Sequence, residues 1–411
     1  MSIADTAPVM TNGALPHPAA VRSSGSTLVN RAAREAATRT PTDGPSARLP
    51  DATLLKWLRD MVAIREFENR CAQAYQQAKI GGFCHLYIGQ EACAVGTIQS
   101  INHDDPIVTA YRDHGHALAR GMSARACMAE MFGKTTGCAK GKGGSMHMFD
   151  KPNHLYGGHG IVGAQTPLGT GLAFAARYEW EVMGQSLDGS AAKKRVALSY
   201  LGDGALNQGA LHEAMNLAGL WNIPVIYVVE NNRYSMGTAI ERGTTMAHDL
   251  GAKARAYGID FLAITAESAA AYPGAEMNIL AIYDLFHPFA ENCRREQRPG
   301  FVDLHTYRYQ GHSMSDPQKY RTKDEVDLIR SRDSIELLAH HLMMERKCLS
   351  ESAYQEMIDA CKAEAMDSLE FAEGSPMPTA SEELYSDVYV NPQPNLSPIR
   401  DFHHGARNPL L

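Results

Sequence analysis

The chain has 411 residues, of which 44% are hydrophobic and 21% are charged, and its formal net charge is −7. This composition is typical of a soluble globular protein with one large α/β domain and appendages, or with two modest domains. The acidic balance disfavours nucleic acid and anionic membranes as partners, and no apolar run reaches the roughly 18 residues that a membrane span requires.

The N-terminal segment differs in composition from the rest of the chain. Residues 1–50 are rich in Ala, Pro, Ser, Thr and Gly, with little apolar periodicity. Such a segment buries too little surface to offset its ordering entropy, so a flexible arm is predicted over residues 1–50. Its arginines resemble those of an organelle transit peptide, so a mitochondrial matrix location stays open beside the favoured bacterial cytoplasm. The eight cysteines include no C-x-x-C pair, which favours reduced thiols in either compartment.

Folded structure is predicted to begin at Asp51, as the N-cap of an amphipathic helix that runs to residue 77. A short apolar run follows at 106–111, and then a glycine-rich region at 133–171. The pattern next predicts a helix at 168–183, a strand at 195–202, a helix at about 207–220 and a strand at 223–230. The last predicted elements are a helix at 278–297 bent by Pro288, a strand at 301–309 and helices at 324–346 and 350–372. Strands that alternate with helices indicate an α/β fold, with a parallel sheet covered by helices on both faces. One domain is therefore predicted over residues 51–374, followed by an extended tail over residues 375–411.

Polar residues follow the two strands of the central β-α-β pattern. Asp203 stands between two glycines directly after the first strand, and Asn231 and Asn232 follow the second. Asp203 and Asn232 are 29 positions apart (232 − 203), which is close to one β-α-β unit of roughly 30 residues and places both at the same edge of the sheet. A carboxylate and an amide oxygen suit Mg²⁺, and the N-terminus of the intervening helix suits an anion. The pattern predicts a metal-bridged diphosphate, although each motif alone is typical of a simple turn.

Two glycine-rich segments are candidates for other phosphate-binding motifs. The segment GCAKGKGGS at 137–145 has the wrong spacing for a nucleoside-triphosphate loop. GHGIVG at 158–163 does satisfy the dinucleotide pattern G-x-G-x-x-G. Because the preceding DKPNHLYG is not expected to form a buried strand, the context for dinucleotide binding is missing. An NAD-dependent oxidoreductase is therefore the remote alternative.

Longer motifs surround these short ones and occur in a specific order. They are GGFCHLYIGQEA (81–92), TAYRDHGHALARG (109–121), GKGGSMHMF (141–149), YGGHGIVGAQ (156–165) and YRYQGHSMSDPQKYRT (307–322). With GDG and NN, they resemble the thiamine-diphosphate-dependent 2-oxo acid dehydrogenase E1 α family over residues 55–392, and especially its pyruvate dehydrogenase members. The resemblance implies the thiamine-diphosphate-binding fold and oxidative decarboxylation of pyruvate, with acetyl transfer to the lipoyl group of an E2 transacylase.

The resemblance also implies roles for individual residues. Residues that match the family's metal ligands are Asp203, Asn232 and Tyr234, the last through its main-chain carbonyl, and those that match its cofactor contacts are Tyr111, Arg112, Gly160, Val162, Gly204, Ala205 and His312. His312 and His114 are the candidate catalytic residues, since an imidazole exchanges protons near neutral pH. The alternative for His114 is that it only orients the loop that carries Arg112. Phe83 would line the substrate pocket.

The predicted partners follow from what one domain lacks. Thiamine catalysis in this family needs a glutamate from a pyrimidine-binding domain, and only one α/β domain is predicted here. The resemblance therefore implies a separate E1 β subunit in an α₂β₂ tetramer, with the lipoyl domain of E2 as a further partner and pyruvate as the substrate.

Some features depart from the family or stay open. Residues 261–278 are longer and less familiar than the family's linker, which leaves the local loop geometry open. Ser313 and Ser315 lie in the loop that is phosphorylated in mitochondrial relatives, and the sequence does not decide whether they are modified here. Near alternatives within the class are acetoin and branched-chain 2-oxo acid dehydrogenase E1 α subunits, and GFCHLYIGQEA favours pyruvate over the branched-chain acids. A non-catalytic paralogue is disfavoured because the candidate site residues are all retained.

Overall fold

The computed structural model describes residues 41–379 and Asp387; residues 1–40 of the predicted arm and the rest of the predicted tail lie outside the described residues. In chain order the strands are β1 (Ile107–Ala110), β2 (Leu155–His159), β3 (Ala197–Gly202), β4 (Val225–Asn231), β5 (Tyr234–Ser235), β6 (Thr238–Ala239), β7 (Asp260–Ile264) and β8 (Gly300–His305). Six of them form a parallel sheet in the spatial order β2-β1-β3-β4-β8-β7, while β5 and β6 form a separate antiparallel ribbon.

The helices of the described residues surround this sheet. They are α1 (Asp51–Gln76), α2 (Glu91–Ile98), α3 (His114–Arg120), α4 (Ala124–Met131), α5 (Gln165–Tyr178), α6 (Gly209–Trp221), α7 (Ile240–Gly243), α8 (Gly251–Arg255), α9 (Ile279–Glu296), α10 (Lys323–Arg330), α11 (Ser334–His340) and α12 (Glu351–Gly374). None of the described helices is long and apolar enough to cross a membrane. All eight cysteines lie within the described residues and none forms a disulfide, in agreement with the predicted reduced thiols.

The central strands bury side chains on both faces of the sheet. In β4, Ile226 and Val228 join the core formed with α1, α2 and α9, whereas Val225, Tyr227 and Val229 join the core formed with α5, α6 and α8. Because successive side chains of a strand point to opposite faces, a nearly continuous apolar run is what a strand covered on both sides needs. The predicted α/β fold with a doubly covered parallel sheet is confirmed.

Several element boundaries differ from the sequence-based predictions. Asp51 is the first residue of α1, after Pro50, and does not cap it through its side chain. The single helix predicted at 324–346 is divided, because Asp333 accepts a hydrogen bond from the N–H of Ile335 and starts a new helix. The first part of the unfamiliar 261–278 segment forms β7, which pairs with β8 at an edge of the sheet.

A larger correction concerns the segment before GHGIVG, which was not expected to be a strand. Its last three residues, with the first two residues of GHGIVG, form β2, which pairs with β1 at the other edge of the sheet. Gly157 has a φ of +95°, and a Cβ there would overlap the ring of Phe149, so this strand needs a glycine. The glycine-rich turn therefore does lie between a strand and the helix α5, and the absence of a strand is no argument against dinucleotide binding.

Part of the predicted arm packs against the domain. The short 3₁₀ helix Pro45–Arg48 places the main-chain N–H and the hydroxyl of Ser46 within 2.5 and 2.7 Å of the Asp284 carboxylate. The hydroxyl of Tyr272 donates to the same carboxylate at 2.8 Å. Tyr272 belongs to the unfamiliar segment, so that segment helps to hold the chain upstream of α1. The packed structure therefore begins before the predicted boundary at Asp51.

We expect Tyr272→Phe to lower the free energy of unfolding by about 2 kcal/mol, because a buried carboxylate loses one hydrogen-bond donor while the ring is kept. The shift in the urea-unfolding midpoint measures this change. Tyr178→Phe, which alters a tyrosine that is 47% exposed, is the matched control and should have little effect. Equal midpoints for Tyr272→Phe and the unmodified chain would contradict the role given to this hydroxyl.

Candidate active site

A cavity of about 730 Å³ opens at the carboxyl ends of β1, β3, β4 and β8. It lies where the strand order reverses: β1 is followed by β2 on one side, and β3 by β4 on the other. Crevices of this kind are the usual ligand sites of open α/β sheets. The predicted site residues that line the cavity are Phe83, Tyr111, Arg112, Gly160, Val162, Asp203, Gly204, Ala205, Asn232, Tyr234 and His312.

Asp203 presents a buried carboxylate to the cavity. It begins the short 3₁₀ turn that follows β3, and the residue is only 3% exposed. Among the residues that the structure describes, none donates a hydrogen bond to its Oδ2 atom. Burial raises the pKa of Asp203 to about 6, against the opposing effect of the Arg308 guanidinium. An oxygen atom in this state is suited to a ligand that the protein itself does not provide.

The two asparagines after β4 have different surroundings. Asn231 donates to Asp303 at 2.9 Å and accepts from the N–H of Arg233 at 3.2 Å. Asn232 lines the cavity, and its Oδ1 atom accepts from the N–H of Tyr234 at 3.3 Å. Asn231 is thus engaged in the turn while Asn232 faces the cavity, and the role of Asn232 as a ligand stays a prediction.

The backbone after Asp203 approaches the β5–β6 ribbon closely. A Cβ atom at Gly204 would overlap the side chain of Ser235 in β5. The glycine therefore lets the turn and the ribbon form adjacent walls of the cavity. On the opposite wall a Cβ at Gly160 would lie 3.2 Å from the ring of His147, so that wall is also tightly packed.

Two buried arginines supply positive charge. Arg112 donates to the carbonyl of Leu86 at 2.7 Å and to the carbonyl of His312 at 2.6 Å, and so joins two chain segments that line the cavity. Arg308 donates to the hydroxyl of Tyr320 at 3.1 Å. Burial, aided by Arg112, lowers the pKa of Arg308 to about 10, so its guanidinium is still charged at neutral pH. Arg308 was not predicted, although its place three residues after β8 puts it at the same sheet edge as Asp203.

The imidazoles in the cavity are neutral near pH 7. Burial and the two arginines lower the pKa of His312 to about 4, and the same effects, with burial the largest, lower the pKa of His85 to about 2. The rings of His85, His312 and Tyr111 pack within 5.8 Å of one another, measured between centroids. Each neutral ring offers a ligand one donor and one acceptor nitrogen, but a pKa this far below 7 makes both rings weak bases while the guanidinium charges beside them are unbalanced. His85 was not predicted as a site residue; its neighbour Phe83 was.

His114 does not lie among the residues that line the cavity. It is fully buried, with Nδ1 3.0 Å from the Glu68 carboxylate and Nε2 2.9 Å from the hydroxyl of Ser145. Burial lowers the pKa of His114, but Glu68 outweighs this effect and the net shift is upward. The structure therefore places His114 behind the residues that line the cavity, and the two predicted roles, catalysis and orientation of the loop of Arg112, both stay predictions.

The comparison with known families is decisive about membership. The model of the family described as "Dehydrogenase E1 component" matches residues 59–381. The chain belongs to the dehydrogenase E1 component family. As an E1 component it is similar to proteins named pyruvate dehydrogenase E1 component subunit alpha: it is 43% identical to that of Rhizobium meliloti over 90% of this chain and 100% of the relative, and 43% identical to that of Rickettsia bellii over 82% and 95%. A chloroplastic relative named subunit alpha-3, from Oryza sativa, is 39% identical over 82% of this chain and 76% of the relative.

The residues around the glycine-rich turn at 158–163 differ from those expected around a dinucleotide-binding turn. Gly160 and Val162 line the same cavity as Asp203 and Asn232, on the far side of the strand-order reversal. The glycine-rich turn and the polar side chains of Asp203 and Asn232 therefore line one cavity.

The mouth of the E1 cavity is apolar and exposed. Phe83, Ile161, Val162 and Met236 are between 45% and 75% exposed. Ser313 and Ser315 also line the cavity, and their hydroxyl oxygens lie 3.0 Å apart. Exposed apolar side chains grouped around one cavity are typical of a surface that a partner covers.

Proposed function

We propose that this chain is the α subunit of a pyruvate dehydrogenase E1 component. With a β subunit it would catalyse the thiamine-diphosphate-dependent oxidative decarboxylation of pyruvate and the transfer of the acetyl group to a lipoyl group of E2. The observation that carries the proposal is the Asp203 carboxylate, buried without a donor to Oδ2 among the described residues, in one cavity with Asn232 and two arginines. The names of the relatives support the choice of pyruvate.

The residues of the cavity fit Mg²⁺ and thiamine diphosphate. Within the described residues no three His, Cys, Asp or Glu side chains form a metal-binding group. The available ligands are instead the carboxylate of Asp203, the amide oxygen of Asn232 and the main-chain carbonyl of Tyr234, which are hard oxygen donors of the kind that Mg²⁺ binds beside phosphate. A Cβ at Gly202 would meet nothing within 4 Å, so this glycine leaves room for the diphosphate to approach the backbone beside Asp203, with Gly204 and Ala205 in the turn that follows.

The chain's other residues would bind and orient the cofactor. Arg112 and Arg308 would balance the charge of the diphosphate, with Tyr111 beside them. Main-chain groups of Gly160 and Val162 would face the aminopyrimidine ring. When bound, thiamine diphosphate supplies the electron sink for decarboxylation.

A bound diphosphate would balance the guanidinium charges of Arg112 and Arg308 that help burial to lower the pKa of His312. The His312 imidazole would then exchange protons next to the reacting substrate, and Phe83 at the mouth would contact the substrate's methyl group. His114 would act through its hydrogen bonds to Ser145 and would not touch the cofactor.

A second chain would complete this site. The glutamate that promotes cofactor activation would come from an E1 β subunit, which would cover the apolar mouth and build an α₂β₂ tetramer. The lipoyl domain of E2 would be the next partner. Relatives from Rickettsia and Rhizobium favour a bacterial cytoplasmic location for the assembly, with the mitochondrial matrix as the alternative.

The test is to purify the chain with its native β partner. We expect calorimetry to show Mg²⁺-dependent binding of thiamine diphosphate and no binding of NAD, and we expect the enzyme to turn over pyruvate with a lipoyl domain as acceptor. Acetoin and branched-chain 2-oxo acids complete the substrate panel. A preference for either would reassign the substrate, whereas NAD binding that persists in Asp203→Ala would overturn the proposal.

A further inference from the structure

The glycine-rich loop over residues 133–147 wraps around one buried carboxylate. Glu130, in the last turn of α4, has no exposed surface, and its two carboxylate oxygens point into this loop. Oε2 accepts from the main-chain N–H groups of Ala139 at 2.8 Å and Gly141 at 2.9 Å. Oε1 accepts from those of Gly143 at 2.6 Å and Gly144 at 3.1 Å. Four main-chain donors therefore converge on a single side chain.

The loop leaves little room for any other path around this carboxylate. A Cβ atom at Gly137 would overlap Glu130 itself, and a Cβ at Gly141 would overlap the main chain of Gly133. Hydrogen bonds from main-chain N–H groups to a carboxylate are charge-assisted and stronger than neutral ones. Glu130 therefore determines the conformation of the loop from within.

The end of the loop contacts both sides of the candidate active site. The Ser145 hydroxyl lies 2.9 Å from Nε2 of His114 and accepts from the N–H of His85 at 3.3 Å. Two residues later, Nδ1 of His147 is 3.0 Å from the carbonyl of Gly158, and its ring packs under Gly160. The loop thus supports the wall that contains His85 and the turn that contains Gly160.

We propose that Glu130 is a positioning residue of the cofactor site, which holds the 133–147 loop so that Ser145 and His147 fix the two walls. The proposal rests on the proposed function, because the occupant of the cavity is taken to be thiamine diphosphate. Glu130 does not line the cavity, so it acts through the loop and before any cofactor is bound. The site is then preorganised by a residue that has no contact with the cofactor.

The chemistry of the side chain makes Glu130→Gln an informative change. Each carboxylate oxygen accepts two N–H donors, so either orientation of a glutamine would direct its NH₂ group at two further donors. A glutamine of nearly equal volume would therefore release one half of the loop. Glu179→Gln is the matched control, because Glu179 is also a buried glutamate but pairs with the guanidinium of Arg195 outside the cavity.

The experiment uses the complete αβ enzyme and begins with amide hydrogen exchange in the absence of cofactor. We expect Glu130→Gln to accelerate exchange in residues 133–147 and 156–162 and to leave the exchange of β3 and β4 unchanged. The dissociation constant of thiamine diphosphate with Mg²⁺, measured by calorimetry, should rise about 10- to 100-fold, the range found for residues that orient ligands. At saturating cofactor, kcat with pyruvate should stay within about twofold. Glu179→Gln should change none of these quantities.

The outcomes separate this proposal from the proposed function. Faster exchange with an unchanged dissociation constant, or a lower kcat at an unchanged dissociation constant, would overturn the positioning role. If the unmodified enzyme bound no thiamine diphosphate, the proposed function would fail, while the exchange measurement would still decide whether Glu130 holds the loop and the Gly160 turn. Ser145→Ala keeps Glu130 and removes the hydroxyl's hydrogen bonds to His114 and His85, while the Ser145 carbonyl, 2.9 Å from Nε2 of His114, is kept. Ser145→Ala replaces Glu130→Gln in the experiment if the latter does not assemble with the β subunit. Cofactor binding about fivefold weaker in Ser145→Ala would support the proposal, and unchanged binding would overturn it.

Discussion

Replacing Asp203 with asparagine is expected to weaken Mg²⁺-dependent binding of thiamine diphosphate by more than about 100-fold, since even residues that only orient a metal ligand contribute 10- to 100-fold. The same substitution is expected to stabilise the cofactor-free enzyme at neutral pH. Both effects have one cause. The carboxylate proposed as a metal ligand is buried, and without a cation it is a charge in an unfavourable environment.

The pH dependence gives the sign of the second effect. The folded-state pKa of Asp203 is raised to about 6, above its ordinary value near 3.8, so the folded chain binds the proton more tightly than the unfolded chain. The free energy of unfolding therefore falls as pH rises from about 4 to about 6 and stays reduced above that range. The loss above pH 6 amounts to about 3 kcal/mol. Asp203→Asn should recover up to this amount at pH 7 and nothing at pH 4.

Urea unfolding of the cofactor-free enzyme at pH 4 and pH 7 measures this difference, and calorimetry measures cofactor binding. Asp367→Asn, which alters an exposed carboxylate outside the cavity, should leave both unchanged. A variant that binds cofactor normally, or that is destabilised at pH 7, would contradict the role given to Asp203.

Replacing Arg112 with lysine should lower kcat/KM by more than about 100-fold, although the charge is kept. The guanidinium reaches the carbonyls of Leu86 and His312 through two separate nitrogens while it lines the cavity. A lysine ammonium is a compact point charge and cannot hold both carbonyls and a phosphate oxygen at once. We therefore expect the dissociation constant of the cofactor to rise with the loss of activity.

Arg125→Lys is the matched control for this substitution. The Arg125 side chain is 55% exposed and pairs with Asp367 at the surface, where an ion pair contributes little to stability. Steady-state kinetics and calorimetry on the two variants, in parallel with the unmodified enzyme, provide the comparison. Similar kcat/KM values for Arg112→Lys and Arg125→Lys would show that bidentate geometry at position 112 does not matter.

The central part of the fold and site was predictable because it follows from local rules. Nearly continuous apolar runs predicted β3 and β4, and the polar residues directly after them predicted the positions of Asp203 and Asn232. The roles assigned to these two residues remain proposals. Arg308 obeys the same strand-end rule, but no spacing in the sequence relates it to Asp203. The neutral state of His312 could not be predicted, because it depends on burial and on guanidinium groups that are distant in the chain.

Edge elements were predicted less well, for a physical reason. Strands β2 and β7 each pair with one neighbouring strand only. The sequence of β2, LYGGH, has no continuous apolar run, and the apolar run of β7, at 261–264, is short and only partly buried before Ile264. Their conformation depends on tertiary contacts, such as Phe149 against Gly157. The contact between Ser46 and Asp284 spans 238 residues of sequence. It could not be predicted, because the composition of residues 1–50 favours a flexible arm that includes Ser46. The position of His114 behind the cavity wall likewise depends on Glu68 in α1.

The anchoring of Ser46 has a practical consequence for where this chain can be shortened. A protein begun at Asp51, the first residue of α1, would keep every helix and strand of the sheet domain. It would nevertheless strip the Asp284 carboxylate of two of its donors and leave Tyr272 to satisfy a partly desolvated anion alone. The natural limit for truncation lies before residue 44, because Gly44 also packs against Asp284 too closely to allow a side chain. The N-terminal boundary of this domain is thus set by the need to solvate the Asp284 carboxylate, and it lies several residues before α1.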